Sequence, residues 1–170
     1  LRRRYQLMLL SGDNDRERQR LVALMGDSTQ MHFSQSPEQK LATVQRLEQS
    51  QSVMMVGDGL NDAGALRGSS VGIAVSEQIA AFSPACDGIL DADAIHRLPA
   101  ILHFARLCLG IVIASFILSL AYNIIGLSFA VRGNLSPLLS AVLMPLSSVS
   151  VIAFTAIATR GAARWTGLRP

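Results

Sequence analysis

The spacing of apolar positions changes character near residue 97. Before it, short apolar runs alternate with polar, periodic stretches. YQLMLL at 5–10 closes on SGDN at 11–14, which predicts a strand followed by a turn. Over 15–25, Leu21, Leu24 and Met25 fall on one side of a predicted helix. SPEQK at 36–40 opens a second helix, with Ser36 as N-cap, Pro37 at the first helical position and Leu41, Val44 and Leu47 as its apolar stripe. SVMMV at 52–56 predicts a strand, 62–67 a short helix, VGIAV at 71–75 a strand and DGIL at 87–90 a last strand. Strands alternating with helices predict a parallel, layered α/β sheet. In such sheets the ligand crevice lies beyond the carboxyl ends of the strands, where Ser11-Gly12-Asp13 and Gly57-Asp58-Gly59 fall.

Beyond 97 the alternation gives way to two long apolar runs, 107–131 and 135–159, each of 25 residues. At about 1.5 Å per residue either one exceeds a hydrocarbon core of about 30 Å. The connection is Arg132-Gly133-Asn134. Two runs of this length in succession argue against a soluble helix pair. The chain is therefore expected to divide into a polar domain, 1–96, and a transmembrane hairpin with a short tail, 97–170. The segment 91–106 would lead from the sheet into the first span.

Charge sharpens that division. Only 16% of residues are charged, against about 25% in ordinary soluble domains. Between Leu107 and Thr159 the single charge is Arg132. Arg97 and Arg106 precede the apolar pair, and Arg160, Arg164 and Arg169 follow it. The positive-inside rule then puts residues 1–106 and the C-terminus in the cytoplasm of a bacterial-type inner or plasma membrane, with lipid around the hairpin. The net charge is +3, from scattered arginines and one lysine. No basic stripe is interleaved with aromatics, which argues against nucleic acid as a partner. Arg2-Arg3-Arg4 reads as a solvated edge. Cys86 and Cys108 stand alone, without a disulfide framework, and fit a reducing compartment for the polar part. Both read as structural, and His32, His96 and His103 show no ligand spacing.

The chemistry concentrates in GDGLND at 57–62. Gly57 and Gly59 allow a sharp turn after the strand. Asp58, Asn61 and Asp62 then put two carboxylates and an amide on one small loop, a donor set suited to Mg²⁺ held by carboxylate and phosphate. The helix start beside it favours an anion. Ser11 can donate a hydroxyl hydrogen bond to a phosphoryl oxygen, and Lys40 can neutralise its charge. Each piece alone reads equally as a turn or a solvated helix residue. Their order, hydroxyl, lysine, paired carboxylates, each at a strand end or helix start, points to phosphoryl transfer. In the apolar runs Tyr122, Asn123, Met144, Ser147 and Ser148 are the polar or soft groups of interest. Asn123 needs a partner on another helix. The Met144 thioether suits Cu(I), and Pro145 loosens the helix beside it.

LSGDN at 10–14, PEQK at 37–40, VGDGLNDAGAL at 56–66 and VGIAV at 71–75 resemble the second half of a P-type ATPase phosphorylation domain, of the haloacid-dehalogenase-like superfamily. The resemblance covers essentially the whole chain. It implies an α/β fold, a partial haloacid-dehalogenase-like (Rossmann-like) domain followed by a two-helix transmembrane hairpin. It also implies ATP and Mg²⁺ as cofactors. By the same resemblance Asp58 would bind Mg²⁺, and Asn61 and Asp62 would shape the phosphate and metal site. Ser11, Gly12 and Lys40 would contact the phosphoryl group, and Asp13 the nucleotide side. Ser11 stands where many members have Thr, and Gly64 where many have Pro.

Tyr122-Asn123 and MPLSS at 144–148 are similar to the last two helices of copper(I)-transporting members, where such residues line the ion site. Ser115 stands where that pattern has Asn. No Lys or Asp lies in either run, which argues against the zinc/cadmium branch. The family's phosphorylated Asp, in D-K-T-G-T, its T-G-E and its Cys-Pro-Cys do not occur in this sequence. The expectation is a C-terminal portion of a Cu(I)-type transporter, inactive alone and completed by a missing N-terminal half. A membrane-anchored phosphatase of the same superfamily and a non-catalytic subunit of a split transporter are the alternatives.

Overall fold

The computed structural model describes residues 4–77, 86–133 and 136–168. Two compact units divide the chain, Leu1–His96 and Arg97–Pro170.

In the first unit the strands are β1 (Met8–Leu10), β2 (Gln30–His32), β3 (Met54–Gly57), β4 (Val71–Ser76) and β5 (Gly88–Asp91). The helices are α1 (Arg18–Met25), α2 (Pro37–Glu48) and α3 (Ala63–Gly68). All the strand pairs are parallel, as the alternation predicts, but they form two sheets. β1 pairs with β2, Met8 opposite Gln30 and Leu10 opposite His32. β3, β4 and β5 form the other, with Gly57 opposite Ala74 and Ser76 opposite Asp91. The strand β2 is not foreseen. Gln-Met-His offers one apolar residue, too few for a period-two signal.

The local chemistry of each helix accounts for its bounds. Ser36 caps α2 in a full capping box: its side chain accepts the Gln39 N–H, and the Gln39 side chain accepts the Ser36 N–H at 2.8 Å. Pro37 occupies the first turn, where its missing N–H costs nothing. The predicted helix over 15–25 resolves into a 3-10 turn, Asp15–Glu17, capped by Asn14, and then α1. Leu24 is exposed, so it does not share the covered side that Leu21, Val22 and Met25 form. The core is Val44 of α2, Ala65 and Leu66 of α3, and Ala74 of β4, all essentially inaccessible. Gly72 is what lets α3 lie on β4: a Cβ there would come within 2.5 Å of the Leu66 carbonyl oxygen.

The second unit is a helical pair, α4 (Leu98–Val131) and α5 (Pro137–Trp165), of 34 and 29 residues. Both are long and apolar enough to cross a membrane by length and composition. A 3-10 turn, Ala92–Arg97, precedes α4. Gly133, at φ +69°, takes the left-handed turn after Arg132. Asn134, Leu135, Arg2, Arg3 and Arg169 lie outside the described residues, and α5 begins at Pro137. The better covered positions of α4 include Ile111, Ser115, Leu118, Tyr122 and Gly126; on α5 they include Leu143, Ser147, Ser150, Val151, Thr155, Ala158 and Ala162. This three-and-four spacing is a coiled-coil-like seam rich in small and hydroxyl residues, as membrane helix pairs favour.

Candidate functional site

Ser11 follows β1 directly. Its N–H donates to the His32 carbonyl at 2.9 Å, extending the β1–β2 pairing by one residue. Its carbonyl accepts the Gln35 N–H at 2.9 Å, and the Asp13 carbonyl accepts the Ser34 N–H at 2.8 Å. The Ser11 hydroxyl oxygen accepts the Asp13 N–H at 3.1 Å. That leaves the hydroxyl proton to donate outward. Gly12 and Asp13 are exposed on this loop. Beside it lies an open polar cavity of about 460 Å³, bounded on one side by Asn14, Asp15 and Arg18 and on the other by His32 to Gln35.

The second loop follows β3. One Asp58 oxygen, Oδ1, accepts the N–H groups of Leu60 at 3.1 Å and Asn61 at 3.0 Å; Oδ2 accepts the Asn61 side-chain amide at 2.9 Å. Gly59, at φ +80°, makes the turn that closes this fan. Partial burial pushes the Asp58 carboxyl up, but the Asn61 side chain, then the backbone N–H groups, outweigh it and hold the carboxyl below its ordinary value. The Asp62 backbone N–H adds a further lowering influence. The ionised carboxylate suits a hard cation.

Asp62 behaves differently. It is buried at 8% exposure, and its Oδ1 accepts from the Lys40 ammonium at 2.7 Å. Gly57 makes room for it: a Cβ there would lie 2.8 Å from the Asp62 Cβ and 2.9 Å from its Cγ. Asp62 also occupies the N-cap position of α3 without making a side-chain cap, because its carboxylate is turned to Lys40. Three of the sequence-predicted segments are thereby joined. Ser11 bonds to Gln35, Ser36 starts α2, Lys40 stands one turn along it, and Lys40 reaches Asp62. No direct bond links Ser11 to Asp58 among the described residues. Nor do these contain a cluster of three or more His, Cys, Asp or Glu side chains able to hold a metal. Mg²⁺ commonly takes only one or two carboxylates and fills the rest of its shell with water and phosphate, so Asp58 with a phosphoryl ligand fits it.

In the helical pair, Tyr122, Asn123, Met144 and Ser147 line one cavity of about 370 Å³, with Gly126 and Leu143 among the other wall residues. Ser148 does not line it. The Ser147 and Ser148 hydroxyls both donate to the Met144 carbonyl, at 2.9 and 3.4 Å. Met144 itself is 75% exposed. Cys86 and Cys108 are free thiols.

Three features escape sequence reading. Glu48 fastens the end of α2 to the starts of β3 and β4: it accepts the N–H of Val53 at 2.9 Å and of Ser70 at 2.6 Å, and the Ser70 hydroxyl at 2.7 Å. Across the helical pair, Ser115 and Thr155 hydroxyls meet at 3.0 Å, as do those of Tyr122 and Ser150. The spacing of Ser147, Ser150 and Thr155 on one side of α5 is the signal that could have found the last two.

The haloacid dehalogenase-like hydrolase family matches residues 1–69. Cation-transporting P-type ATPase B of Mycobacterium tuberculosis is 33% identical over 146 residues, which cover 85% of this chain and 19% of that protein. A copper-exporting P-type ATPase of Staphylococcus haemolyticus is 32% identical over 146 residues, 85% of this chain and 18% of that protein. The nitrogen fixation protein FixI of Rhizobium leguminosarum is 33% identical over 120 residues, 70% of this chain and 16% of that protein. The crystal structure of a zinc-transporting PIB-type ATPase in its E2·Pi state superposes with a TM-score of 0.69 at 25% identity, over 95% of this chain and 25% of that one. The chain thus spans about a fifth of the length of these relatives. It carries a haloacid dehalogenase-like hydrolase domain and two long apolar helices, and its homologues are the cation- and copper-transporting P-type ATPases.

Proposed function

We propose that the chain is the C-terminal part of an ATP-driven heavy-metal transporter, with Cu(I) as the cation moved and an aspartyl-phosphate cycle as the drive. The observation that supports this best is the gathering of Tyr122, Asn123, Met144 and Ser147, from two helices free of acidic side chains and lysine, around one cavity. A thioether with neutral oxygen donors suits a soft monovalent ion better than a hard divalent one.

In the first unit, the Ser11 hydroxyl donates a hydrogen bond to a phosphoryl oxygen. Lys40 brings a positive charge to the same group, and buried Asp62 holds that ammonium in place. Asn61 fixes the Asp58 carboxylate in its ionised form for Mg²⁺. Asp58 would hold Mg²⁺, which would supply positive charge against that developing on the transferring phosphoryl group. Gly12 and Asp13 shape the loop on the nucleotide side. No D-K-T-G-T occurs in the 170 residues, so the phosphorylated aspartate comes from other residues of the transporter, and this stretch alone forms no phosphoenzyme. The flanking arginines set residues 1–106 and the C-terminus on the cytoplasmic side of a bacterial-type plasma membrane.

The test is made in the complete transporter that includes this chain. Asp58→Ala is expected to lower Mg²⁺-dependent phosphoenzyme formation by at least about a hundredfold. Met144→Ala is expected to cut copper-stimulated ATP hydrolysis. Normal phosphoenzyme in the first variant would remove the metal role of Asp58. Unchanged copper stimulation in the second would return Met144 to packing.

A further inference from the structure

Several hydroxyls of the helical pair bond back to their own helix. Ser115, Ser128, Ser147, Ser148 and Thr155 each donate to a carbonyl of their own helix: Ile111, Ile124, Met144, Met144 and Val151. Back-bonding of this sort is the ordinary way a hydroxyl is satisfied in an apolar helix. Ser150 is different. Among the described residues its hydroxyl bonds only across the pair, to the Tyr122 phenol at 3.0 Å.

Proton counting separates this contact from the other hydroxyl bridge. Ser115 and Thr155 have two protons between them and three contacts to make, two of them to their own backbones. Their bridge therefore competes with back-bonding. Tyr122 and Ser150 have two protons and one contact, so their bridge is fully supplied. Tyr122 is also tied at both ends, by its backbone to α4 and by its phenol to α5. Tyr122 lines the 370 Å³ cavity, and Ser150 lies one turn beyond Ser147, another wall residue. Without Ser150 the phenol would lose its fixed partner and the ring its fixed place in the wall.

We infer that Ser150 is a positioning residue for the cation site: it fixes Tyr122 at the cavity wall and so sets the affinity for a soft monovalent cation. This rests on the transport reading above. Ser150 touches no cation; it acts through the tyrosine.

The test measures the Cu(I) dependence of ATP hydrolysis in the complete transporter, separating half-saturation from maximal rate. Ser150→Ala is expected to raise half-saturating Cu(I) about three- to tenfold, the size of one interhelical hydrogen bond in a membrane, with the maximal rate kept within about twofold. Tyr122→Phe is expected to do the same, and the double variant to add nothing further. Ser150→Thr, which keeps the hydroxyl, is expected to restore the wild-type value. Thr155→Val, which breaks the other hydroxyl bridge, is expected to leave half-saturation unmoved. The inference is overturned if Ser150→Ala leaves half-saturation unchanged, if its effect adds to that of Tyr122→Phe, or if Thr155→Val matches it. Met144→Ala keeps the two readings apart. A shift for Met144→Ala with none for Ser150→Ala sinks this inference alone, and no shift for either sinks the cation site itself.

Discussion

The two units fix polar side chains by opposite means. In the first, charge is met by charge or by a fan of N–H groups: Lys40 on Asp62, and two backbone N–H groups with the Asn61 amide on Asp58. In the second, from Leu107 to Thr159, Arg132 is the only charge, and the bonds across the helices join neutral hydroxyls. An isolated charge in hydrocarbon costs several kcal/mol, about 2.5–3.5 on insertion scales, whereas a hydroxyl can fall back on its own helix. The helical pair can therefore lose a polar contact cheaply. The α/β unit cannot, because its ion pair is largely shielded from solvent.

The largest expected effect tests that asymmetry at Lys40. Lys40→Met leaves the Asp62 carboxylate buried and unpaired, which costs about 3–5 kcal/mol. Amide exchange in α2 and α3, followed against urea in the micelle-embedded chain, reads the loss. Adding Asp62→Asn removes the orphaned charge and is expected to recover more than half. A cost below about 1 kcal/mol for the single variant would class the pair with exposed ion pairs and erase the contrast.

The same asymmetry decides what could be read from the residues alone. Strong local rules were visible: the N-cap at Ser36, proline at the start of α2, and the glycines that close the Asp58 turn. So were the parallel α/β alternation and the two apolar runs. The pairing of Lys40 with Asp62 was not, since the residues are 22 positions apart and only the packing of α2 on α3 brings them together. For that reason Asp62 read as the second carboxylate of the Mg²⁺ and phosphate loop, and the structure finds it bonded to the lysine. β2 was hidden by its shortness. Ser150 and Thr155 were hidden by their neutrality: a serine or threonine in an apolar run is usually self-bonded, and nothing in the residue type says which one crosses to a neighbour.

A smaller effect is expected at Asp58. Its carboxyl is held below the ordinary value despite partial burial, with the Asn61 side chain the largest lowering influence. A depressed folded-state pKa means the stabilisation is present at neutral pH and is lost as acid protonates the group, in a window below the usual carboxylate range. Asn61→Ala removes the side-chain donor and leaves the backbone N–H groups. The midpoint of Asp58, followed by the chemical shift of its carboxyl carbon, is expected to move upward, and the window of acid loss with it. An unmoved midpoint would assign the whole effect to the backbone turn and make Asn61 dispensable to the loop.

The smallest effect belongs to the Ser115–Thr155 bridge. Each hydroxyl already bonds to a carbonyl one turn back, at 2.9 Å from Ser115 to Ile111 and 2.8 Å from Thr155 to Val151. Ser115→Ala therefore orphans nothing: Thr155 keeps its back-bond, and the Ile111 carbonyl keeps its place in the helix. The coupling between Ser115→Ala and Thr155→Val, measured as a double-variant cycle on unfolding in bicelles, is expected near about 0.6 kcal/mol, the average for interhelical hydrogen bonds in membranes. A coupling as large as the Lys40 loss would mean that the hydroxyls are not freely exchangeable with the backbone. The two units would then share one mode of polar fixation rather than two.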